Sequence, residues 1–231
     1  MKLTLTLTAN AGVLLRCGEN GPLYGVDALH DTKVPEFSCL SAEQIGTTFS
    51  LLDKTPPAAL LTTHDHGDHY SRKLLDKAAE RYPDCRIITP WAAPEKKGKI
   101  YTVNDQTVTA IPLPHRYAPG ISESDNYGFV IEADGKSLFL PGDAEPFGEE
   151  MTELARDFHP DAAVLPFVWA ILPRCRRVLD VLAPKATAFV HLPFEEDDSR
   201  GYNHAALLVA GCCYPSAAVL NKHLQTAVFE L

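Results

Sequence analysis

Residues 63–69 have the sequence Thr-His-Asp-His-Gly-Asp-His, which places three of the chain's nine histidines within six positions. In an extended segment His64 and His66 project to the same side, so both imidazoles can reach one ion. The glycine that follows lets the backbone turn, and Asp68 and His69 can then point to a second position. These nitrogen and oxygen donors suit zinc, iron or manganese. A histidine-rich surface loop is the alternative, and the buried strand predicted immediately before the cluster argues against it.

That strand belongs to a longer series of elements, whose limits follow from apolar periodicity, capping residues and turn residues. The amino-terminal part predicts strands at 2–8, 11–16, 22–27 and 58–63, with helices at 41–52 and 71–81. The middle predicts strands at 86–89, 99–103 and 107–113, then a hairpin of 127–133 and 136–140 around Asp134-Gly135. The remainder predicts helices at 148–157, 173–182 and from 202 onward, alternating with strands at 162–166, 186–190 and 226–230.

This element order favours the α/β (α+β) class. Strands outnumber helices early and alternate with them late, which two sheets with helices on their outer faces would satisfy. A chain of 231 residues fits one large domain, and it has no repeat of solenoid length and no low-complexity linker. We therefore expect a single domain at 1–231.

Composition restricts the partners and the compartment. The net charge of −9 and the pI near 5.4 repel polyanions, so nucleic acid is a disfavoured partner. The six cysteines form no CxxC pair, which indicates free thiols in a reducing compartment. No apolar run approaches the roughly 20 residues that span a membrane. We expect a cytoplasmic protein that does not associate with membranes.

The cluster at 63–69 resembles the HxHxDH signature of the metallo-β-lactamase superfamily, and later residues match the order of that family's ligands. His115 ends a predicted strand where the family has its next histidine, and Asp143 follows the hairpin as the family's bridging aspartate does. His191 ends a late strand, at the place of the family's final histidine. Asp27 resembles the family's first acidic motif, which orients the ligand loop. The resemblance covers roughly 10–230 and implies a four-layer αββα sandwich.

The resemblance also implies a centre with two divalent metal ions, most simply zinc, with iron or manganese as alternatives. The first ion would be held by three histidines, namely His64, His66 and His115. The second would be held by Asp68, His69 and His191, with Asp143 bridging both. The centre would activate a bridging water, and Asp68 would also steer the water or accept its proton. Two divalent ions, two aspartates and one hydroxide leave a net charge of +1, which attracts a small anionic substrate.

The identity of residue 66 bears on the reaction. It is His, whereas the family's flavodiiron branch usually has Glu there and carries a flavin domain, so hydrolysis is favoured over redox chemistry. We expect a metal-dependent hydrolase of a small ester-type substrate: a phosphodiester, a lactone or a thioester. An RNA-processing nuclease is an alternative that the acidic run at 195–198 disfavours. A non-hydrolytic di-metal redox or binding protein is the other alternative.

Three further residues are candidates for contact with the substrate. Arg116 and Tyr117 directly follow a predicted ligand, and His204 could act as general acid because histidine is the residue that most often has that role. The alternative for His204 is an exposed histidine on a helix surface. A homodimer is compatible with the resemblance, because this fold class commonly dimerises.

Overall fold

The computed structural model describes residues 1–93, 97–115 and 125–231, and its strands form two sheets. The first sheet has the order β13-β1-β2-β3-β4-β5. Its strands are β1 (Lys2–Leu7), β2 (Val13–Cys17), β3 (Leu23–Val26), β4 (Ala59–Leu61), β5 (Arg86–Ile88) and β13 (Thr226–Glu230). Neighbours pair antiparallel from β13 to β3, and β3, β4 and β5 are parallel.

The second sheet has the order β12-β11-β10-β9-β8-β7-β6. Its strands are β6 (Lys99–Val103), β7 (Gln106–Pro112), β8 (Tyr127–Ala133), β9 (Lys136–Leu140), β10 (Ala162–Pro166), β11 (Ala186–Val190) and β12 (Ala218–Val219). Strands β6 to β9 pair antiparallel, and β9 to β12 pair parallel. The predicted hairpin is confirmed, because Ala133 faces Lys136 across the Asp134-Gly135 turn.

The largest core cluster lies between the two sheets. Leucine alternates with threonine along β1, and the leucines Leu3, Leu5 and Leu7 are buried while the threonines face outward. They belong to the same apolar cluster as Phe129 and Ile131 of β8 in the other sheet. Period-two burial on one face is what a strand in a sandwich requires.

Helices cover the outer face of each sheet. On the first sheet, α1 (Ala42–Lys54) and α2 (Arg72–Arg81) pack through one apolar cluster. On the second sheet, another cluster is formed by α3 (Glu149–Asp157), α4 (Val168–Ile171), α5 (Pro173–Leu182) and α6 (Tyr202–Cys213). The result is an αββα sandwich of four layers, as the resemblance to the metallo-β-lactamase superfamily implies.

Capping residues determine where α1 and α2 begin. Ser41 and Gln44 form the predicted capping box at α1, and the Ser71 hydroxyl accepts a hydrogen bond from the backbone of Leu74 at α2. The predicted elements end within two residues of the observed ones. Four short elements were not predicted: α4, β12 and the 3-10 turns Pro90–Ala92 and Glu195–Asp197. Each is too short to show a period.

Two other expectations can be compared with the structure. All six cysteines are free thiols, as their spacing predicts. Among the described residues, no helix has both the length and the apolar character needed to cross a bilayer.

The inward face of β1 provides a test of the sandwich core. Leu5 is 1% exposed, so Leu5→Ala should lower the free energy of unfolding by about 2–5 kcal/mol through lost burial and a residual cavity. Val228 of β13 is 52% exposed, and Val228→Ala should change stability by no more than about 1 kcal/mol. Urea denaturation followed by circular dichroism measures both, and equal losses would contradict the assigned core.

Candidate metal centre

The predicted donor residues lie just beyond the carboxyl ends of strands from both sheets. In the first sheet, parallel strands β3 and β4 end just before Asp27 and residues 63–69. In the second, β7, β9 and β11 run in one direction and end before His115, Asp143 and His191. Backbone hydrogen bonds join the sheets at this rim. The amide of Tyr127 donates to the Thr63 carbonyl at 2.9 Å, and the amide of His191 donates to the Asn10 carbonyl at 2.9 Å.

Three histidines form the first donor group. His64, His66 and His115 each offer a ring nitrogen, and these nitrogens lie within 4.8 Å of one another. The His64 and His115 rings are buried, and His66 is partly exposed. The ring centroid of His66 lies 4.5 Å from that of His64 and 5.2 Å from that of His115. The structure thus brings together the three residues that the resemblance assigned to one ion.

The second donor group combines imidazoles and carboxylates. His69 Nε2 and His191 Nε2 are 3.1 Å apart, and each lies within 3.8 Å of Asp68 Oδ2. The Oδ2 atom of Asp143 is 3.4 Å from His69 Nε2 and 3.2 Å from His191 Nε2. It also lies 3.6 Å from the Nε2 of His115, a member of the first group. Asp143 therefore sits between the two groups.

These spacings fit the geometry of a bound ion. Donors about 2.0–2.1 Å from a tetrahedral zinc are about 3.4 Å from one another. The separations in the second group, from 3.1 to 3.8 Å, bracket that value. Two buried atoms, His64 Nε2 and Asp143 Oδ1, have no hydrogen-bond partner among the described residues. A buried donor or acceptor without a partner is costly, and a metal ion would satisfy both.

Asp27 orients the donor loop, as the sequence suggests. Its Oδ1 accepts a hydrogen bond from the Thr63 amide at 2.8 Å, and its Oδ2 accepts one from the Thr63 hydroxyl at 2.7 Å. The same Oδ2 lies 2.9 Å from His69 Nδ1. Because a carboxylate only accepts, His69 keeps a proton on Nδ1, and Nε2 is the ring nitrogen that can bind a metal after losing its own proton.

Thr63 likewise determines which ring nitrogen of His64 carries the proton. Its hydroxyl has one proton, which it donates to Asp27, so it accepts the proton on His64 Nδ1 at 2.9 Å. The Nε2 lone pair of His64 is then available to an ion. The role of Thr63 was not predicted. A threonine directly before a histidine cluster is the only sequence signal for it.

Two asparagines hold the aspartates of the centre in place, and neither was predicted from the sequence. Asn10 is fully buried, and its Nδ2 lies 3.2 Å from Asp68 Oδ2. Asn126 donates to the carbonyls of Leu113 and Pro141, and its Oδ1 accepts from the Asp143 amide at 3.1 Å. Asn10 and Asp68 are 58 positions apart in sequence, so no local pattern could connect them.

The charges of the centre favour binding of a cation. Burial alone would raise the pKa of Asp143, but His191 and His69 outweigh it and hold that pKa well below its usual value. Burial opposes protonation of His69, yet Asp143, Asp68 and Asp27 outweigh it and hold the His69 pKa well above its usual value. Among the described residues, the ion-pair partners of these three aspartates are all histidines.

His64 behaves differently from His69. Burial, followed by the neighbouring His69, holds the pKa of His64 well below its usual value. Its imidazole is therefore neutral at physiological pH. A histidine ligand must be neutral, so His64 is ready to bind an ion without first losing a proton.

The other predicted site residues are placed elsewhere. His204 is exposed on the first turn of α6. It is not among the described residues that line the cavity above the donor groups, which is described below. Arg116 and Tyr117 lie outside the described residues. The acidic run at 195–198 has a structural use: Asp197 pairs with Lys33 and Ser38, and Asp198 accepts hydrogen bonds from the first backbone amides of α6. The structure does not bring His204 to the donor groups.

A cavity of about 570 Å³ opens over the donors. Its floor contains His66, Asp68, His115, Asp143 and His191. Its walls are largely apolar. They come from Val34 and Phe37, from five residues in and around α4 (Pro166, Phe167, Val168, Ile171 and Leu172), and from Tyr202 at the start of α6. This volume suits a small-molecule ligand.

Comparisons with known proteins agree with this architecture. Residues 26–173 match the model of a family described as the beta-lactamase superfamily domain. Igni18, a metallo hydrolase from Ignicoccus hospitalis, has a TM-score of 0.65 and 17% identity, with 100% of both chains covered. YhfI of Bacillus subtilis, a metallo-beta-lactamase fold protein, has a TM-score of 0.60 and 13% identity over 99% of this chain and 100% of its own.

CmlA, a diiron beta-hydroxylase from Streptomyces venezuelae, has a TM-score of 0.58 and 14% identity. The alignment covers 99% of this chain and 54% of CmlA, so the chain spans about half of that protein. At these identities the likeness concerns the fold alone. A comparison with curated protein sequences found no match.

Gly142, next to Asp143, provides a test of the local geometry. Its φ is +59°, and an added Cβ would collide with Asn126 Oδ1 and lie 2.7 Å from Thr63 Cβ. Gly142→Ala should therefore cost about 2–5 kcal/mol of stability from backbone strain and overpacking. Gly135 has a φ of +70° and open space around it, so Gly135→Ala isolates the strain, about 1–2 kcal/mol. Thermal unfolding measures both, and equal losses would contradict the close approach at Gly142.

Proposed function

Because this chain belongs to the beta-lactamase superfamily, we propose that it is a metal-dependent hydrolase with a centre for two divalent ions. The observation that carries the proposal is the convergence of seven His and Asp side chains into two neighbouring donor groups, which Asp143 links. His64, His66 and His115 would hold the first ion. Asp68, His69 and His191 would hold the second, with Asp143 shared between them.

The reaction we propose is the hydrolysis of a small ester-type substrate. When bound, two divalent ions would lower the pKa of a water between them and polarise the bond to be attacked. The protein orients the groups around that water. Asp68 Oδ2 is held by Asn10, and the imidazoles of His69 and His191 outweigh the effect of burial and lower the pKa of Asp68. A carboxylate that stays ionised is suited to steer the attacking water by accepting its hydrogen bond.

Zinc is the ion we propose, because four-coordinate His and Asp sites with open positions are typical of catalytic zinc. Iron and manganese are the alternatives, since the same nitrogen and oxygen donors serve them. The fold also occurs in CmlA, a diiron beta-hydroxylase. Metal analysis of freshly purified protein separates these ions.

A small substrate is favoured over nucleic acid. The chain has a net charge of −9, and among the described residues no lysine or arginine lines the cavity. Protein–RNA affinity depends on cationic side chains that neutralise phosphates. RNA binding at low salt that weakens steeply as salt is added would favour the nuclease alternative instead.

The shared aspartate is the sharpest test of a two-ion centre. Asp143→Ala should reduce the bound metal from about two ions per chain to one or fewer, since both groups lose a donor. Hydrolysis of an ester panel should fall by at least about 100-fold, because the metal chemistry requires both ions. Inductively coupled plasma mass spectrometry and a spectrophotometric ester assay give the two readouts.

Asp65→Ala is the matched control for this experiment. Asp65 lies in the same loop but is exposed, and it belongs to neither donor group. It should keep the wild-type metal content and rate. Full metal content in Asp143→Ala would contradict the shared ligand.

Thr63 gives a second test, which concerns orientation. Thr63→Val keeps the volume but removes the hydroxyl between Asp27 and His64 Nδ1, so metal affinity should fall about 10–100-fold. Thr63→Ser keeps the hydroxyl and should stay near wild type. Competition with a chromophoric chelator measures both affinities, and equal affinities in the two variants would exclude this role of the hydroxyl.

A further inference from the structure

We propose that the substrate of this centre is a carboxylic ester or thioester with an apolar acyl chain, and not a phosphodiester. This inference rests on the proposed hydrolase function and specifies its substrate. It follows from the contrast between the polar floor of the cavity and its apolar walls.

The walls are formed by aliphatic and aromatic side chains from two separate parts of the chain. Six of the residues that line the cavity are Val34, Phe37, Phe167, Val168, Ile171 and Leu172. Transfer of hydrocarbon from water to such a surface is favourable by an amount that grows with each methylene. The volume of about 570 Å³ leaves room for a chain beyond the reacting group.

Two details connect the apolar wall to the donors and to the entrance. The Phe37 ring packs edge-on against His191, with ring centroids 4.4 Å apart, so the wall begins directly beside a metal donor. Leu172 lines the cavity and is also 38% exposed, so its side chain contacts both the cavity and solvent. The apolar surface therefore extends from the donors to the outside.

Charged side chains near the entrance are paired with one another. Lys33 Nζ lies 2.6 Å from Asp197 Oδ1, and Arg200 Nη2 lies 2.5 Å from Glu36 Oε1. The Tyr202 hydroxyl, on a residue that lines the cavity, donates to Glu36 Oε2 at 3.0 Å. These pairs hold the loop at 33–38 against the segment before α6. The cations in them are already matched by carboxylates.

This arrangement discriminates between the ester classes. A phosphodiester keeps a full negative charge on the reacting group. The bound ions would balance part of that charge, and phosphate sites usually add arginine or lysine. Among the described residues, the cavity offers neither. A carboxylic ester or thioester is neutral at the reacting group, and its acyl chain can lie along the apolar wall without an unpaired charge being buried.

The reaction is balanced by one water. The oxygen of the water forms a bond to the acyl carbon, and the bond from that carbon to the alkoxy oxygen or thiolate sulfur breaks. One proton of the water passes to the leaving oxygen or sulfur. The products are a carboxylic acid, which ionises at neutral pH, and an alcohol or thiol.

The first experiment uses the metal-loaded protein and p-nitrophenyl esters from acetate to octanoate. The value of kcat/KM should rise about four-fold per methylene until the chain fills the cavity. The value of kcat/KM for bis(p-nitrophenyl) phosphate should lie below that for octanoate. A flat chain-length profile, or faster turnover of the phosphodiester, would overturn the inference and leave the hydrolase function standing.

Substitutions in the apolar wall test whether the acyl chain binds there. Phe37→Ala and Leu172→Lys should each reduce the octanoate-to-acetate ratio of kcat/KM by about 10-fold, because they remove or interrupt the apolar wall. Val181→Ala is the control, since Val181 is 49% exposed on α5 and does not line the cavity. It should keep the wild-type ratio. Unchanged ratios in both wall variants would contradict a chain bound along this wall.

A second readout does not depend on turnover. Isothermal titration calorimetry with butanoate, hexanoate and octanoate should show Kd falling about four-fold per methylene, with a loss of that trend in Phe37→Ala. If the loaded protein hydrolyses no ester but shows this trend, the proposed hydrolase function fails and the apolar ligand class stands. If Kd does not depend on chain length, the inference is wrong.

Discussion

The buried carboxylate of Asp27 holds the candidate metal centre together. It accepts hydrogen bonds from the amide and hydroxyl of Thr63 and from the imidazole of His69, and a buried carboxylate is stable only when its oxygens are satisfied in this way. Each of these bonds also limits where a neighbouring proton can reside. The ring nitrogens of His64 and His69 that face the centre are consequently left as metal donors.

The packing of the two sheets completes the centre, because the remaining donors follow strands of the opposite sheet. Asp143 and His191 follow strands of the second sheet, while the loop at 63–69 follows a strand of the first. Backbone hydrogen bonds from Tyr127 to Thr63 and from His191 to Asn10 fix the distance between the sheets at this rim. His191 has a φ of +61°, an uncommon backbone conformation for a residue other than glycine. The hydrogen bond from its backbone amide to the Asn10 carbonyl supports this conformation.

The cavity separates two kinds of chemistry. Its floor is a set of carboxylates and imidazoles whose field favours cations, and its walls are apolar side chains whose charged neighbours are matched in pairs. The ions would therefore supply the positive charge that the floor needs, and the walls would select the body of the substrate.

Sequence patterns identified the long elements and their caps, and the resemblance to the metallo-β-lactamase superfamily implied the αββα sandwich and the seven donors that the structure brings together. Those features depend on periodicity, turn chemistry and a short motif, all of which are local or follow a fixed order along the chain. Asn10, Asn126 and the apolar wall at Phe37 and Leu172 came only from the tertiary structure, as did the exposed position of His204. Their roles arise from contacts between residues far apart in sequence, such as Asn10 with Asp68. Only the packing of the two sheets determines which distant side chains meet.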